Sequence, residues 1–316
     1  MLKFNQKYKL RIATRQSPLA LWQSQHIARQ LQQYHGQTLS IEILPMLTSG
    51  DRLARQTIIT KGLMTKGLFV KELETALLNH QADLAVHSLK DVPAQLPEGL
   101  IINTICKRDN PFDVLISKSN LKLNNMPPNS IIGTSSLRRQ AQLLAYRQDL
   151  QVKTIHGNIN TRLNKLQDKD YDAIILAAAG LERMDWQDKI SERLAESIFL
   201  PACGQGTLAI ECRCNDIQTR ELLAPLHDHD TAVCAHVERH VNTMLGGSCN
   251  TPLAIYCTIN PMEITSLCLQ VKVMSHDGKK IISHSGSGTI KLHSDMVDRC
   301  VTELIQAGVQ TLLAES

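Results

Sequence analysis

Asn129–Asn158, NSIIGTSSLRRQAQLLAYRQDLQVKTIHGN, reads as strand, turn, helix, strand and turn. Ser130–Gly133 is a short apolar run that ends at the polar Thr134-Ser135-Ser136, and a helix follows to about Arg147. Gln151–Ile155 is the next strand, and Gly157-Asn158 turns the chain into a helix from about Asn160. Tyr171–Ala177, rich in Ile and Ala, is a further strand. Strands that alternate with helices imply a parallel sheet with helices on both faces, and such sheets bind ligands at the carboxyl ends of their strands.

The same alternation occurs earlier in the chain. Lys9–Thr14 is a strand, and Ser17-Pro18 opens a helix, with Ser as N-cap and Pro in the first turn. Leu39–Leu44 is a strand and Leu68–Asn79 a helix with Phe69, Leu73, Ala76 and Leu77 on one face. Ala82–His87 is a buried strand that runs into a loop, Ser88–Pro93. After about residue 228 the pattern changes. Leu253–Asn260, Ile264–Ser275 and Lys280–Ser285 read as strands, the last two joined at the hairpin signal Asp277-Gly278. Asp295–Leu313 reads as one amphipathic helix. The expected fold class is α/β, with mainly parallel sheets followed by a small α+β domain built on an antiparallel sheet.

The chain has 316 residues, enough for two or three cores. Aromatic residues are 3%, so those cores are aliphatic, and the stacking platforms of single-strand nucleic-acid binders are missing. A net charge of +4 calls for neither DNA nor a membrane surface. The nine cysteines are scattered and odd in number, which favours reduced thiols in the cytoplasm over a disulfide framework. The amino terminus MLKFNQKYKL has no apolar stretch of signal-peptide type, and Ala173–Leu181 is too short an apolar run to span a bilayer.

Basic residues stand where a helix does not want them. A helix N-terminus is partially positive, yet Ser136-Leu137-Arg138-Arg139 puts two arginines into a first turn, Thr161-Arg162 repeats the feature, and Arg15 precedes the Ser17 cap. Such cations need an anion, and arginine offers a planar two-pronged donor to carboxylate or phosphate. The plainer reading of any one of them is solvated surface charge. Lys66-Gly67 is either a further anion contact or a turn with a surface lysine. Asp91 follows a buried strand and falls at its carboxyl end, where a carboxylate balances a developing cation and relays a proton; it is also a turn former before Pro93. Lys90 beside it can meet an acid group of a ligand. Gly246-Gly247-Ser248-Cys249 sets a thiol on a tight turn, although most single cysteines are buried and inert. Cys212 with Cys214, His227 with His229, and His236 with His240 lack the paired spacing of a structural zinc site, and no metal is expected.

Seven stretches in this order resemble the porphobilinogen deaminase (hydroxymethylbilane synthase) family: Arg11–Leu21 (RIATRQSPLAL), Lys66–Glu74 (KGLFVKELE), Asp83–Pro93 (DLAVHSLKDVP), Gly133–Gln140 (GTSSLRRQ), Tyr171–Leu181 (YDAIILAAAGL), Leu200–Gly206 (LPACGQG) and Gly247–Asn250. The resemblance implies two periplasmic-binding-protein-like lobes and a third domain. Domain 1 comprises 1–106 and 201–227, domain 2 comprises 107–200, and domain 3, which carries the cofactor, comprises 228–316. It implies a dipyrromethane cofactor held through a thioether on Cys249. It also implies Asp91 as the catalytic carboxylate, which assists loss of ammonia from porphobilinogen and steadies the azafulvenium cation that results. Ser88, Lys90, Ser136, Arg138, Arg139, His156 and Arg162 are then expected to bind the cofactor, and Arg15, Ser17, Lys66, Arg183 and Gln205 the substrate. The expected product is the linear tetrapyrrole hydroxymethylbilane, made by a cytoplasmic monomer without nucleic-acid or membrane partners.

Three features depart from the family pattern. His156 stands where most family members carry arginine, Ser248 where glycine is commoner, and Arg52–Lys61 differs in length. Two alternatives follow: a relative that binds pyrroles but elongates poorly because of His156, or a two-lobed module that only binds carboxylate anions.

Overall fold

The computed structural model describes residues 8–50, 70–168, 170–247 and 251–314. The chain forms two compact units. One comprises the residues up to Arg108 together with Thr207–Ala232, the other Asp109–Gly206 with the residues from Val233 onward.

The first unit contains β1 (Tyr8–Arg15), α1 (Pro18–His35), β2 (Leu39–Met46), α2 (Lys71–Leu78), β3 (Leu84–Ser88) and β4 (Leu100–Ile105), and the returning chain adds β10 (Leu208–Arg213) and α6 (Ile217–Leu223). The sheet order is β2-β1-β3-β10-β4. Strands β2, β1 and β3 are parallel neighbours, and β10 runs antiparallel to both β3 and β4, so one strand of five is reversed. Alternation along the strands sorts the two cores. Leu10, Ile12, Leu84 and Val86 pack with Ile27 and Leu31 of α1 and Leu222 and Leu223 of α6. Ala13 and Ala85 face the other way, against Leu73, Ala76 and Leu77 of α2. The start of α1 is local chemistry: Ser17 Oγ accepts from Ala20 N at 3.3 Å, and Pro18 occupies the first helical position.

The second unit contains β5 (Asp113–Ser117), β6 (Ile131–Gly133), α3 (Leu137–Tyr146), β7 (Gln151–Lys153), α4 (Ile159–Gln167), β8 (Ala173–Ala177), α5 (Ala178–Glu182) and β9 (Glu192–Arg193). Its sheet order, β7-β6-β8-β5-β9, repeats that of the first unit, again with one strand, β5, reversed. It also contains α7 (His229–Met244) from its fifth residue onward, β11 (Leu253–Asn260), β12 (Glu263–Met274), β13 (Ile281–Thr289), α8 (His293–Gln306) and α9 (Val309–Ala314). The last three strands form the expected antiparallel sheet, and Val237, Val241, Val297, Val301 and Leu304 cover its face. The hairpin at Asp277-Gly278 depends on glycine. Gly278 has φ +72°, and a Cβ there would stand 2.4 Å from Ala141 O and 2.5 Å from Ala145 N of α3.

The sheets are mainly parallel, as expected, with one reversed strand in each, β10 and β5. Two expectations are corrected. The single C-terminal helix is two, broken at Gly308 with φ +91°. The helix expected over Leu68–Asn79 is described as Lys71–Leu78, and Leu68 and Phe69 lie outside the described residues.

At the start of β5, Asp113 is fully buried and ties several segments together. Its Oδ1 accepts from Arg139 Nη2 at 2.8 Å, Arg139 Nε at 3.1 Å and Gln205 Nε2 at 2.9 Å. Its Oδ2 stands 2.8 Å from Arg138 Nη1. Arg138 Nη1 also donates to Leu200 O at 2.7 Å, and Arg139 Nη1 to Ile175 O of β8 at 3.0 Å. Burial alone would raise the Asp113 carboxyl. The neighbouring guanidiniums of Arg138 and Arg139 outweigh it and hold that carboxyl well below the usual carboxylate range. A depressed carboxylate stabilises the folded state above its unfolded pKa of about 4, and that stabilisation is lost as pH falls toward the folded value. Asp113→Ala leaves two buried arginines without their anion. It is expected to cost about 3–5 kcal/mol at pH 7 in denaturant unfolding. The gap to wild type is expected to narrow below about pH 4.

Candidate functional site

In the first unit the parallel pairing of β1 with β3, Ile12 opposite Leu84 and Ala13 opposite Ala85, aligns the carboxyl ends of the two strands. Arg15 and Ser17 therefore leave the sheet at the same edge as Ser88, Lys90 and Asp91. The segment after β3 is a tight 3-10 turn, Leu89–Asp91. Leu89 is its buried anchor, with Leu89 N donating to Thr207 O at 2.9 Å and Val92 N to Leu89 O at 3.1 Å. Lys90 and Asp91 are exposed beyond it. Ser88 Oγ accepts from the buried amide of Gln23, Nε2, at 3.0 Å. Behind the turn, His87 Nε2 lies 2.9 Å from Glu211 Oε2, both buried. Glu74 on α2 is held above the usual carboxylate range, first by burial and then by the charge of Glu211.

In the second unit the parallel strands β6 and β7 lead into the N-termini of α3 and α4. Ser136 caps α3 and Asn158 caps α4, with Asn158 Oδ1 accepting from Thr161 N at 2.9 Å. Arg162 Nε donates to Gly157 O at 2.8 Å and Lys165 Nζ to His156 O at 3.2 Å, so two cations close on the turn that presents His156. His156 is half-buried, and burial, then Arg162 and Lys165, hold its imidazole below its ordinary pKa.

For Arg138 and Arg139 the chain itself supplies one anion, Asp113, which the sequence reading did not foresee, and Arg139 has Nε, Nη1 and Nη2 all committed to protein acceptors. Two residues expected to meet substrate are likewise found inside. Arg183 is buried, with Nε donating to Asp109 Oδ2 at 2.9 Å and Nη2 to Gly206 O at 2.8 Å. Gln205 is buried, with Nε2 donating to Pro111 O at 2.6 Å as well as to Asp113. Lys66 and Cys249 lie outside the described residues, as does the Arg52–Lys61 stretch. Asp113, Gln23 and Lys165 escaped the sequence reading. A pair of first-turn arginines signals some anion, but nothing local says which of the 30 acidic residues supplies it.

The eight described cysteines are free thiols, and burial pushes those of Cys212 and Cys300 up to about 12. Among the described residues no helix is long and apolar enough to cross a membrane.

Comparisons with known proteins agree along the chain. The family model described as porphobilinogen deaminase, dipyromethane cofactor binding domain, matches residues 10–221. That described as porphobilinogen deaminase, C-terminal domain, matches residues 232–306. The porphobilinogen deaminase of Legionella pneumophila strain Lens is 53% identical over 305 residues, which are 96% of this chain and 97% of the relative. That of strain Paris gives the same figures. Solved structures give looser likenesses. A TRAP periplasmic solute binding protein from Desulfovibrio salexigens has a TM-score of 0.42 at 10% identity, over 70% of this chain and 72% of that one. With matches to both of its domains and identity sustained from end to end, this chain belongs to the porphobilinogen deaminase family.

Proposed function

We propose that this chain is a transferase, hydroxymethylbilane synthase. It condenses four porphobilinogens, with loss of four molecules of ammonia, and one water cleaves the chain from the enzyme as linear hydroxymethylbilane; it acts as a cytoplasmic monomer of three domains. The observation that carries the reading is the turn Ser88–Asp91, which stands exposed at the carboxyl end of β3 on the edge that Arg15 and Ser17 share. An acid-bearing pyrrole needs cations and hydroxyls for its acetate and propionate arms and one carboxylate for the cation formed at its aminomethyl carbon. That edge supplies all three. A module that only binds anions has no use for Asp91 among those cations, and the relatives match nearly the whole chain.

The donor set suits dipyrromethane, whose arms are carboxylates. Ser17 and Ser136 are N-caps whose oxygens already accept a helix N–H, which leaves their hydroxyl protons to a ligand. Ser88, Lys90, Ser136 and Arg162 would hold the group, with His156 beside Arg162, and Cys249 would carry it. When bound, dipyrromethane supplies the nucleophilic α-carbon that primes condensation. The chain's own residues do the rest. Arg15 and Ser17 orient the incoming porphobilinogen through its acid arms. Asp91 balances positive charge as the aminomethyl C–N bond breaks and ammonia departs with the electron pair.

Release of ammonia and tetrapyrrole from porphobilinogen by the purified protein is the direct test. Cys249→Ser is expected to lose the covalent adduct in intact mass together with nearly all turnover, since thiolate is the better nucleophile toward an azafulvene. A normal adduct on that variant would move the attachment elsewhere. Asp91→Ala is expected to lower kcat by about a hundred- to a thousandfold, with Asp91→Glu keeping a little activity. A rate for Asp91→Ala within threefold of wild type would move the carboxylate role to another residue. His156, held below its ordinary pKa of about 6.5, is neutral near pH 7, so an acid group that pairs with it must bring a proton. Binding through His156 therefore weakens as pH rises, while arginine stays charged. His156→Arg is expected to raise kcat/KM about fivefold at pH 8 and little at pH 6; superimposable pH profiles would show that this position does not limit the enzyme.

A further inference from the structure

Three ionisable side chains lie between the sheet of the first unit and α2. Antiparallel pairing sets Glu211 of β10 opposite Ala85 of β3 and Ala209 opposite His87. Glu211 and His87 therefore share the face on which Ala85 packs against Leu73, Ala76 and Leu77 of α2. Glu74 stands on that helix, and Glu74, His87 and Glu211 are each at most 8% exposed. His87 Nε2 meets Glu211 Oε2 at 2.9 Å, while Glu211 Oε1 is buried with no hydrogen-bond partner among the described residues. Negative charge on Glu211 is thus only partly taken up, and it acts on Glu74. Other charges on these elements are engaged elsewhere. Arg11 and Arg213 meet Asp83, Arg213 also meets Asp216, Lys9 pairs with Glu42, and Arg15 ends β1 at the carboxyl edge. On α2 itself Glu72 accepts from Ser49 and Lys71 is exposed, and β4 brings no charge. Loss of a proton from Glu74 would set a second negative charge beside Glu211 in apolar surroundings, where it costs far more than in water.

We propose that Glu74, His87 and Glu211 form a buried proton-holding switch behind the turn that carries Asp91. With its proton, Glu74 lets α2 close on the sheet. Without it, water must reach both carboxylates, and α2 lifts from the end of β3, where His87 directly precedes Ser88 and the turn. Folded Glu74 keeps a proton that the unfolded chain gives up above about pH 4.3. Its contribution to stability is therefore complete below that pH and is lost as pH rises through the folded value. The effect on stability is independent of the proposed reaction, and only the effect on turnover rests on it.

Glu74→Gln cannot lose a proton at this place. Thermal melting of the whole chain as purified is compared for this variant and wild type from about pH 5 to about pH 9. The difference in melting temperature, variant minus wild type, is expected to grow by about 4 °C across that range. At about pH 5.5, where an exposed glutamate is ionised, infrared absorption of wild type should contain the stretch of a protonated carboxyl that Glu74→Gln lacks. Between the same limits kcat of wild type for porphobilinogen should fall about threefold relative to Glu74→Gln. In a Glu211→Gln background, replacing Glu74 should give a smaller growth of the melting difference, because the charge that acts on Glu74 is gone. A constant melting difference, a missing infrared band, superimposable kcat profiles or an undiminished growth in the Glu211→Gln background would each overturn the switch. If either variant does not melt cooperatively, the wild-type band decides: its loss in the ordinary glutamate range, about pH 4.3, would overturn the proposal. A wild-type protein that releases no ammonia from porphobilinogen would overturn the proposed reaction instead, and melting and infrared absorption would still judge the switch.

Discussion

One buried carboxylate holds the second unit in register. Asp113 opens the reversed strand β5, and its two oxygens take up the guanidiniums of Arg138 and Arg139 on α3 and the amide of Gln205. Through Arg139 the knot reaches the β8 backbone at Ile175, and through Arg138 it reaches Leu200. Two cations and one anion inside a protein need their hydrogen-bonding groups satisfied, and here the backbone carbonyls of Ile175 and Leu200 take up part of that demand. The clamp also relieves a local conflict. Arginines in a first helical turn oppose the helix dipole, and Asp113 supplies the negative charge that the turn wants.

Both mixed sheets use the same strand order, and in both the candidate residues Ser17, Ser136 and Asn158 stand where parallel strands hand over to helices. At those points the backbone leaves N–H groups without helical partners, and Ser17, Ser136 and Asn158 take them. A capping hydroxyl that accepts a helix N–H keeps its own proton to donate. Cations at these corners are steadied through the backbone. Arg162 and Lys165 close on the carbonyls of Gly157 and His156, which keeps positive charge beside an imidazole that is itself kept neutral. Electrostatics of this kind suit a ligand whose charge is all carboxylate.

Family membership and local geometry answer different questions here. Identity of 53% over nearly the whole chain settles the family. Geometry separates residues that present groups at an edge, such as Lys90 and Asp91, from residues of equal prominence in the motifs that lie inside. Arg183 and Gln205 belong to the second kind. Their donors hold Asp109, Gly206, Pro111 and Asp113, all within the second unit.

What the sequence determined by itself was whatever depends on neighbours a few residues apart. Ser17-Pro18 starts a helix because cap and ring act within one turn, and Asp277-Gly278 turns a hairpin because Gly278 tolerates φ +72°. Alternation and period placed β1, β2, α3 and β12 within a residue or two of where they stand. The reversed strands were not legible in this way. Leu208–Arg213 is buried at every position, Glu211 and Arg213 included, so its residue types do not follow its exposure. The partners of the buried charges were not legible either. Asp113 meets Arg139 across 26 positions and Gln205 across 92, and Gln23 meets Ser88 across 65. Each of these residues announces locally only that it needs a partner. Which partner it finds is decided by which strands lie side by side, and that is a property of the tertiary structure alone.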